Sequence, residues 1–214
     1  MAIKLLVFDW DQTLLDSFAV HRDALRYAAH CLGLPVPTEE EIVRTFAGSL
    51  HEQLELLFGG VDGVLPHYGH YYRQHHLTGS RAFPGVAEML RDLRRDGYGL
   101  ALLSNKSRSV AVAELAHTGL DSAFDHAVFR DDLGILKPDP AGVHSILRAL
   151  GIPPEETLLA GDGAVDVEVA RRAEVPCAAA LWGSLHPEKA LDMAPDYVWH
   201  TVADATAFFA GLRR

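Results

Sequence analysis

Short continuous apolar runs recur along the chain, and each ends on polar residues. Ile3–Phe8 runs into Asp9, Tyr98–Leu103 into Ser104-Asn105, and Thr157–Ala160 into Gly161-Asp162. Pro176–Leu181 runs into Trp182-Gly183, and Tyr197–Trp199 is a shorter run of the same kind. Runs of this length without polar alternation predict strands buried on both faces. Helical patterns lie between them: Pro84–Asp96, Ser107–Thr118, Asp139–Leu150, Asp166–Glu174 and Thr201–Leu212. Three of these stop at glycine (Gly97, Gly119, Gly151), and two open with proline in the first turn. Strands alternating with helices predict a parallel sheet with right-handed crossovers, whose ligand sits beyond the carboxyl ends of the strands. The polar residues named above fall at those ends.

One segment breaks the alternation. From about Asp16 to Ser80 there is no buried-strand run. Four helical stretches take its place: Phe18–Leu32, Glu39–Phe46, Leu50–Phe58 and Val61–His75, punctuated by glycine and proline. The reading is an α/β fold, a Rossmann-like three-layer parallel-sheet core over residues 1–15 and 82–214, with an inserted all-helical (four-helix) domain over 16–81.

Composition narrows what such a fold can do. The 214 residues carry 29 acidic and 19 basic side chains, a formal charge of −10, and are 49% apolar. The apolar share excludes a disordered chain. The negative balance argues against nucleic acid, which needs clustered Lys and Arg, and against a basic membrane-surface helix. No apolar run approaches the ~20 residues that span a bilayer. Met1–Val7 is too short for a signal peptide, so the expected location is cytoplasmic. Cys31 and Cys177 have no motif spacing and are expected to be buried thiols rather than a disulfide or a nucleophile.

The candidate chemistry gathers at the strand ends. In Asp9-Trp10-Asp11-Gln12-Thr13 the two aspartates are two residues apart, so in an extended segment both face one cleft. A carboxylate nucleophile beside a carboxyl general acid/base is one division of labour open to them. Asp162 and Asp166 add two carboxylates, and the four could converge on one cation. Oxygen-only ligands suit Mg²⁺ better than Zn²⁺. Lys137 before Pro138 supplies fixed positive charge, and Ser104 with Asn105 supplies donors to a tetrahedral oxyanion. Taken singly, each has an ordinary explanation: a turn, a solvated lysine, or a helix cap at Asp166.

In this order the motifs resemble those of the haloacid dehalogenase superfamily of phosphatases, over nearly the whole chain. Phe8–Leu14 is similar to its first motif, Leu103–Lys106 to the second, Lys137-Pro138 to the third and Gly161–Asp166 to the fourth. The helical insert stands where that superfamily carries a cap domain. The resemblance implies that Asp9 is the nucleophile forming an aspartyl-phosphate. It implies that Asp11 protonates the leaving group and then activates water, and that Ser104 and Lys137 hold the phosphoryl group. It further implies that Asp9, the Asp11 carbonyl and Asp162 bind Mg²⁺, with Asp166 beside the metal or supporting it. Thr13 and Asn105 join as substrate-binding candidates. Asp11 argues against the dehalogenase branch, whose halide leaving group needs no proton. Position 12 is commonly glycine in the family but is Gln12 here. The expectation is that this turn does without positive φ.

Phe46-Ala47-Gly48-Ser49-Leu50 resembles the specificity loop of phosphoglycolate-phosphatase-like members, which makes Gly48 and Ser49 substrate-binding candidates. There is no lysine between Lys4 and Lys106, which closes the Schiff-base chemistry of the phosphonate-cleaving relatives. His67 and His70 have helical metal-ligand spacing but read more simply as a solvated face. Tyr68, Tyr71 and Tyr72 read as helix-packing residues. The expected function is a Mg²⁺-dependent phosphatase acting on a small phosphate ester, as a monomer or homodimer. A phosphomutase or pyrophosphatase on the same core and a non-catalytic regulatory protein are the alternatives.

Overall fold

The computed structural model describes residues 3–46 and 49–212. Along the chain the elements are β1 (Leu5–Phe8), β2 (Leu15–Asp16), α1 (Phe18–Cys31), α2 (Glu39–Thr45), α3 (Leu50–Phe58), α4 (Val64–Gly79), β3 (Arg81–Ala82), α5 (Val86–Arg95), β4 (Gly99–Ser104), α6 (Arg108–Thr118), β5 (His126–Phe129), α7 (Arg130–Leu133), α8 (Ala141–Leu150), β6 (Thr157–Gly161), α9 (Ala164–Arg172), β7 (Cys177–Ala180), α10 (Pro187–Asp192), β8 (Tyr197–Trp199) and α11 (Val202–Leu212). They group into two compact units, residues 1–16 with 82–214, and residues 17–81.

The first unit is α/β. Its six-stranded sheet has the order β5-β4-β1-β6-β7-β8, and every pairing is parallel. All four residues of β1 are buried, which is why an unalternating run folds as a central strand. Its side chains divide by parity between two cores. Leu6 and Phe8 pack with residues of α5, α6 and α11, whereas Leu5 and Val7 pack with residues of α8 and α9. Helices therefore cover both faces, giving three layers. Strand order reverses between β1 and β6, so the crevice at their carboxyl ends is where such a sheet takes its ligand. β2 and β3 form a separate two-stranded sheet.

β5 differs from the sequence expectation, which had no strand there. HAVF is an edge strand with only its last two residues buried, and its run of apolar residues is too short to stand out. The short helices α7 and α10 were likewise not expected. Cys177 is buried in β7 as expected, and burial pushes its thiol pKa up. Cys31 differs: it ends α1 and is exposed.

The second unit is helical. α1 buries Val20, His21, Ala24, Leu25, Ala28 and Ala29, a three-and-four spacing that makes one stripe. α4 buries Val64, Tyr68, Tyr72 and His76 in the same rhythm. A polar network crosses this interior. His21 Nδ1 lies 2.9 Å from the Tyr68 hydroxyl, and its Nε2 lies 2.8 Å from Gln53 Oε1. The Gln53 amide donates in turn to the Ile42 carbonyl at 3.0 Å. Replacing His21 by leucine keeps the volume but leaves two buried polar groups without these bonds. The expected cost is about 1–3 kcal/mol, read as a lower midpoint in thermal denaturation.

Candidate active site

The parallel register brings the polar strand ends level. β1 and β6 pair Phe8 with Ala160, and the Asp9 N–H extends that ladder by donating to the Ala160 carbonyl at 2.9 Å. β1 and β4 pair Phe8 with Leu102. Asp9, Ser104 and Asp162 therefore emerge within about two residues of one another at the same sheet edge.

Three carboxylates close on one another there. Asp9, Asp162 and Asp166 each offer an oxygen within 4.8 Å of the other two. Lys137 Nζ stands among them, 2.6 Å from Asp9 Oδ1 and 2.7 Å from Asp166 Oδ1. Asp166 sits in the first turn of α9, where its other oxygen accepts the Gly163 N–H at 3.1 Å. Its carboxyl group lies on Gly161, where a Cβ would overlap it, so glycine is required at that strand end. Thr13 Oγ1 donates to Asp162 Oδ1 at 3.1 Å.

Two buried carboxylates and the half-buried Asp9, when all are ionised, set three negative charges against one ammonium. Burial raises the Asp9 pKa to about 7 against the pull of Lys137, with Asp166 and Asp11 adding to the rise. Burial, then Asp166 and Asp9, raises Asp162 well above the carboxylate range. Burial alone would lower the Lys137 pKa, but Asp166 and Asp9 more than offset it and hold the ammonium charged. An all-oxygen donor set with an uncompensated charge of this size and sign fits a hard divalent cation.

Asp11 turns elsewhere. Its Oδ1 takes a bond from Lys106 Nζ at 2.7 Å, and that ammonium also reaches Glu114 Oε2 at 2.7 Å. Ser104 is buried at the end of β4, with its hydroxyl accepting the Lys106 N–H at 3.2 Å. Asn105 grips the backbone of Lys137: Oδ1 accepts the Lys137 N–H at 2.8 Å and Nδ2 donates to the Lys137 carbonyl at 3.3 Å. The Lys137–Pro138 peptide is cis. Ser49, in the helical unit, is the N-cap of α3 and accepts the Glu52 N–H at 3.3 Å. Gly48 lies outside the described residues.

The expectation about position 12 is overturned: Gln12 has φ +61°. The turn from Trp10 to Leu15 is too tight to avoid it. Leu14 and Leu15 both donate to the Trp10 carbonyl at 2.9 Å, and Gln12 N–H donates to the Leu15 carbonyl at 2.8 Å. Left-handed backbone costs a non-glycine residue about 1–2 kcal/mol. A segment after β7 holds the turn in place. The Trp182 indole N–H donates to the Thr13 carbonyl at 2.7 Å, and the Ser184 hydroxyl donates to the Asp162 carbonyl at 2.7 Å. Between them, Gly183 packs so closely that a Cβ would overlap the Gln12 carbonyl oxygen and strike Phe83. Sequence reasoning placed no function on Trp182, Gly183 and Ser184, nor on Glu114. The signal for the strap was its position, since 182–184 also follows a strand end.

A family model described as haloacid dehalogenase-like hydrolase matches residues 6–180. A phosphoglycolate phosphatase of Aquifex aeolicus is 30% identical over 206 residues, covering 94% of this chain and 94% of the relative. Pyrophosphatase PpaX of Listeria monocytogenes is 29% identical over 208 residues, covering 96% and 95%. A solved haloacid dehalogenase-like hydrolase from Streptococcus pneumoniae shares the fold, with a TM-score of 0.89 at 23% identity over 97% of this chain and 98% of that one.

Three outcomes follow from this geometry. Gly183→Ala should cost about 1–3 kcal/mol, as overpacking does, and an unchanged melting temperature would show that the strap does not press on the turn. In the metal-free protein, Asp9 and Asp162 have folded pKa values above their unfolded ones, so the folded state binds more protons. The contribution of these two groups to stability should therefore be fully present below the unfolded carboxylate range and be lost as pH rises through about 7. Asp162→Asn should raise the melting temperature in EDTA at neutral pH by about 2–4 °C per kcal/mol relieved, and calorimetry reads both effects.

Proposed function

The chain belongs to the haloacid dehalogenase-like hydrolase family and is a phosphatase; on that premise we propose that it hydrolyses a small phosphomonoester, phosphoglycolate-like, with Mg²⁺ and through a phosphoryl group carried on Asp9. The observation that carries the reading is the trio Asp9, Asp162 and Asp166, the last two buried, around the Lys137 ammonium. The 30% identity to a phosphoglycolate phosphatase along 94% of the chain supports the substrate class. The helical unit, residues 17–81, is taken as the family's cap domain.

Phosphoryl transfer needs in-line positioning and neutralised charge more than covalent ingenuity. An Asp9 oxygen attacks phosphorus, the ester P–O bond breaks, and the leaving oxygen takes a proton from Asp11. Asp11 then removes a proton from a water whose oxygen attacks the same phosphorus. The bond to Asp9 breaks, inorganic phosphate leaves, and Asp9 is restored. Lys137 puts positive charge against Asp9 throughout, and Ser104 donates its hydroxyl to the phosphoryl oxygens. Asn105, bonded on both sides to the Lys137 backbone, sets where that ammonium stands. Asp9, the Asp11 carbonyl and Asp162 would hold Mg²⁺, with Asp166 behind them, and the bound ion supplies the charge that lets a carboxylate approach a phosphate.

The charge balance makes the metal a condition of binding. Asp9, Asp11, Asp162 and Asp166 against Lys137 leave three net negative charges. Lys106 and Glu114 cancel each other, so adding them changes nothing. One divalent cation and one proton on Asp11 bring the sum to zero, even within a chain of net charge −10. A pyrophosphatase on the same residues is the second reading, favoured by the PpaX relative. Asp9→Asn should abolish phosphate release from p-nitrophenyl phosphate, and EDTA should do the same until Mg²⁺ is restored. A phosphate-release screen over phosphoglycolate, sugar phosphates, nucleotides and pyrophosphate separates the two readings, and undiminished turnover by Asp9→Asn would remove the nucleophile.

A further inference from the structure

Glu114 has no packing reason to be a carboxylate. It lies on the inner face of α6 beside Ala111 and Leu115, and is 1% exposed. A charge that deep is costly unless it is fully engaged. Glu114 Oε2 accepts two bonds, from the Trp10 indole N–H at 2.8 Å and from Lys106 Nζ at 2.7 Å. Trp10 is itself fully buried and separates Asp9 from Asp11 in the chain. One carboxylate oxygen thus grips the loop of the two aspartates twice: through the Trp10 side chain, and through the lysine that holds Asp11 Oδ1 at 2.7 Å. The Lys106 side chain is 10% exposed, so its ammonium is drawn out of water to make these bonds.

We propose that Glu114 and Lys106 are positioning residues for the acid/base Asp11. Glu114 fixes the Lys106 ammonium, and Lys106, bonded to Oδ1, fixes the plane in which Asp11 presents its carboxyl group to the leaving-group oxygen. Neither residue exchanges a proton during turnover. The inference rests on the reading of Asp11 as acid/base given above. Its consequence is selective at the first step, the transfer to Asp9 that kcat/KM reads: loosening Asp11 slows transfer from esters whose leaving group needs its proton and spares the others, whereas the later attack of water is common to both.

Leaving groups separate the two cases. Glycerol 2-phosphate releases an alkoxide that must be protonated, whereas 2,4-dinitrophenyl phosphate releases a phenolate that needs no proton. Measured as kcat/KM, Asp11→Asn should lose about 10²–10⁴-fold on the alkyl ester and far less on the aryl ester. Glu114→Gln, which keeps an acceptor for Trp10, and Lys106→Met should each lose roughly 10–100-fold on the alkyl ester, the scale of a misplaced catalytic group. Both should stay within about threefold on the aryl ester, and Lys106→Arg should recover part of the alkyl activity. Equal losses on both esters by Glu114→Gln and Lys106→Met, with Asp11→Asn still selective, would make the two residues merely structural and overturn the inference. An Asp11→Asn loss equal on both esters would instead remove the acid/base reading on which it rests. Glu114→Gln preserves shape and one hydrogen bond, so the comparison survives even if Lys106→Met fails to fold.

Discussion

The Lys137 ammonium between Asp9 and Asp166 is the contact on which the rest of the site depends. Three carboxylates at the end of a parallel sheet would repel one another in a low-dielectric setting. One buried cation makes their approach possible without cancelling their charge. The residual negative charge defines what the cluster can hold. It also explains the supporting contacts around it, since Asn105 fixes the Lys137 backbone and Thr13 donates to Asp162. A fully neutralised cluster would be more stable, and it would have no use for a divalent ion.

A second constraint is the turn after β1. Two aspartates and a threonine must leave one strand end within five residues, and the chain achieves it by putting Gln12 in the left-handed region. The cost is met from elsewhere in the molecule. Trp182 and Ser184 bind the Thr13 and Asp162 carbonyls, joining the loops after β1 and β6 to the segment after β7. Strain of this kind persists where the surroundings over-determine it. Three strand ends of one sheet are thereby held as a single piece, which a reaction dependent on positioning requires.

Much of this was legible along the chain. The unalternating runs at β1, β4, β6, β7 and β8 stood out because central parallel strands are buried on both faces. The acidic residues stood out because each followed such a run. Their order identified the family. β5 was hidden because its apolar run is only three residues long, and an edge strand buries only half its residues. The positive φ of Gln12 was hidden because a glutamine there denies the usual signal. Glu114 was hidden because its position reads as an ordinary solvated helix residue until α6 is packed against the sheet.

The sequence by itself determined the alternating architecture, the helical insert and the identity of the charged groups at the strand ends, since periodicity and residue type are local properties. Tertiary structure alone decided which charges meet. Lys137 joins Asp9 and Asp166 across 128 and 29 positions. Lys106 instead joins Asp11 to Glu114. Those pairings rest on sheet register, on the tight turn after β1 and on the space that Gly161 and Gly183 leave. Separations in space of a few ångströms between residues far apart in the chain carry no periodicity that a linear pattern could reveal.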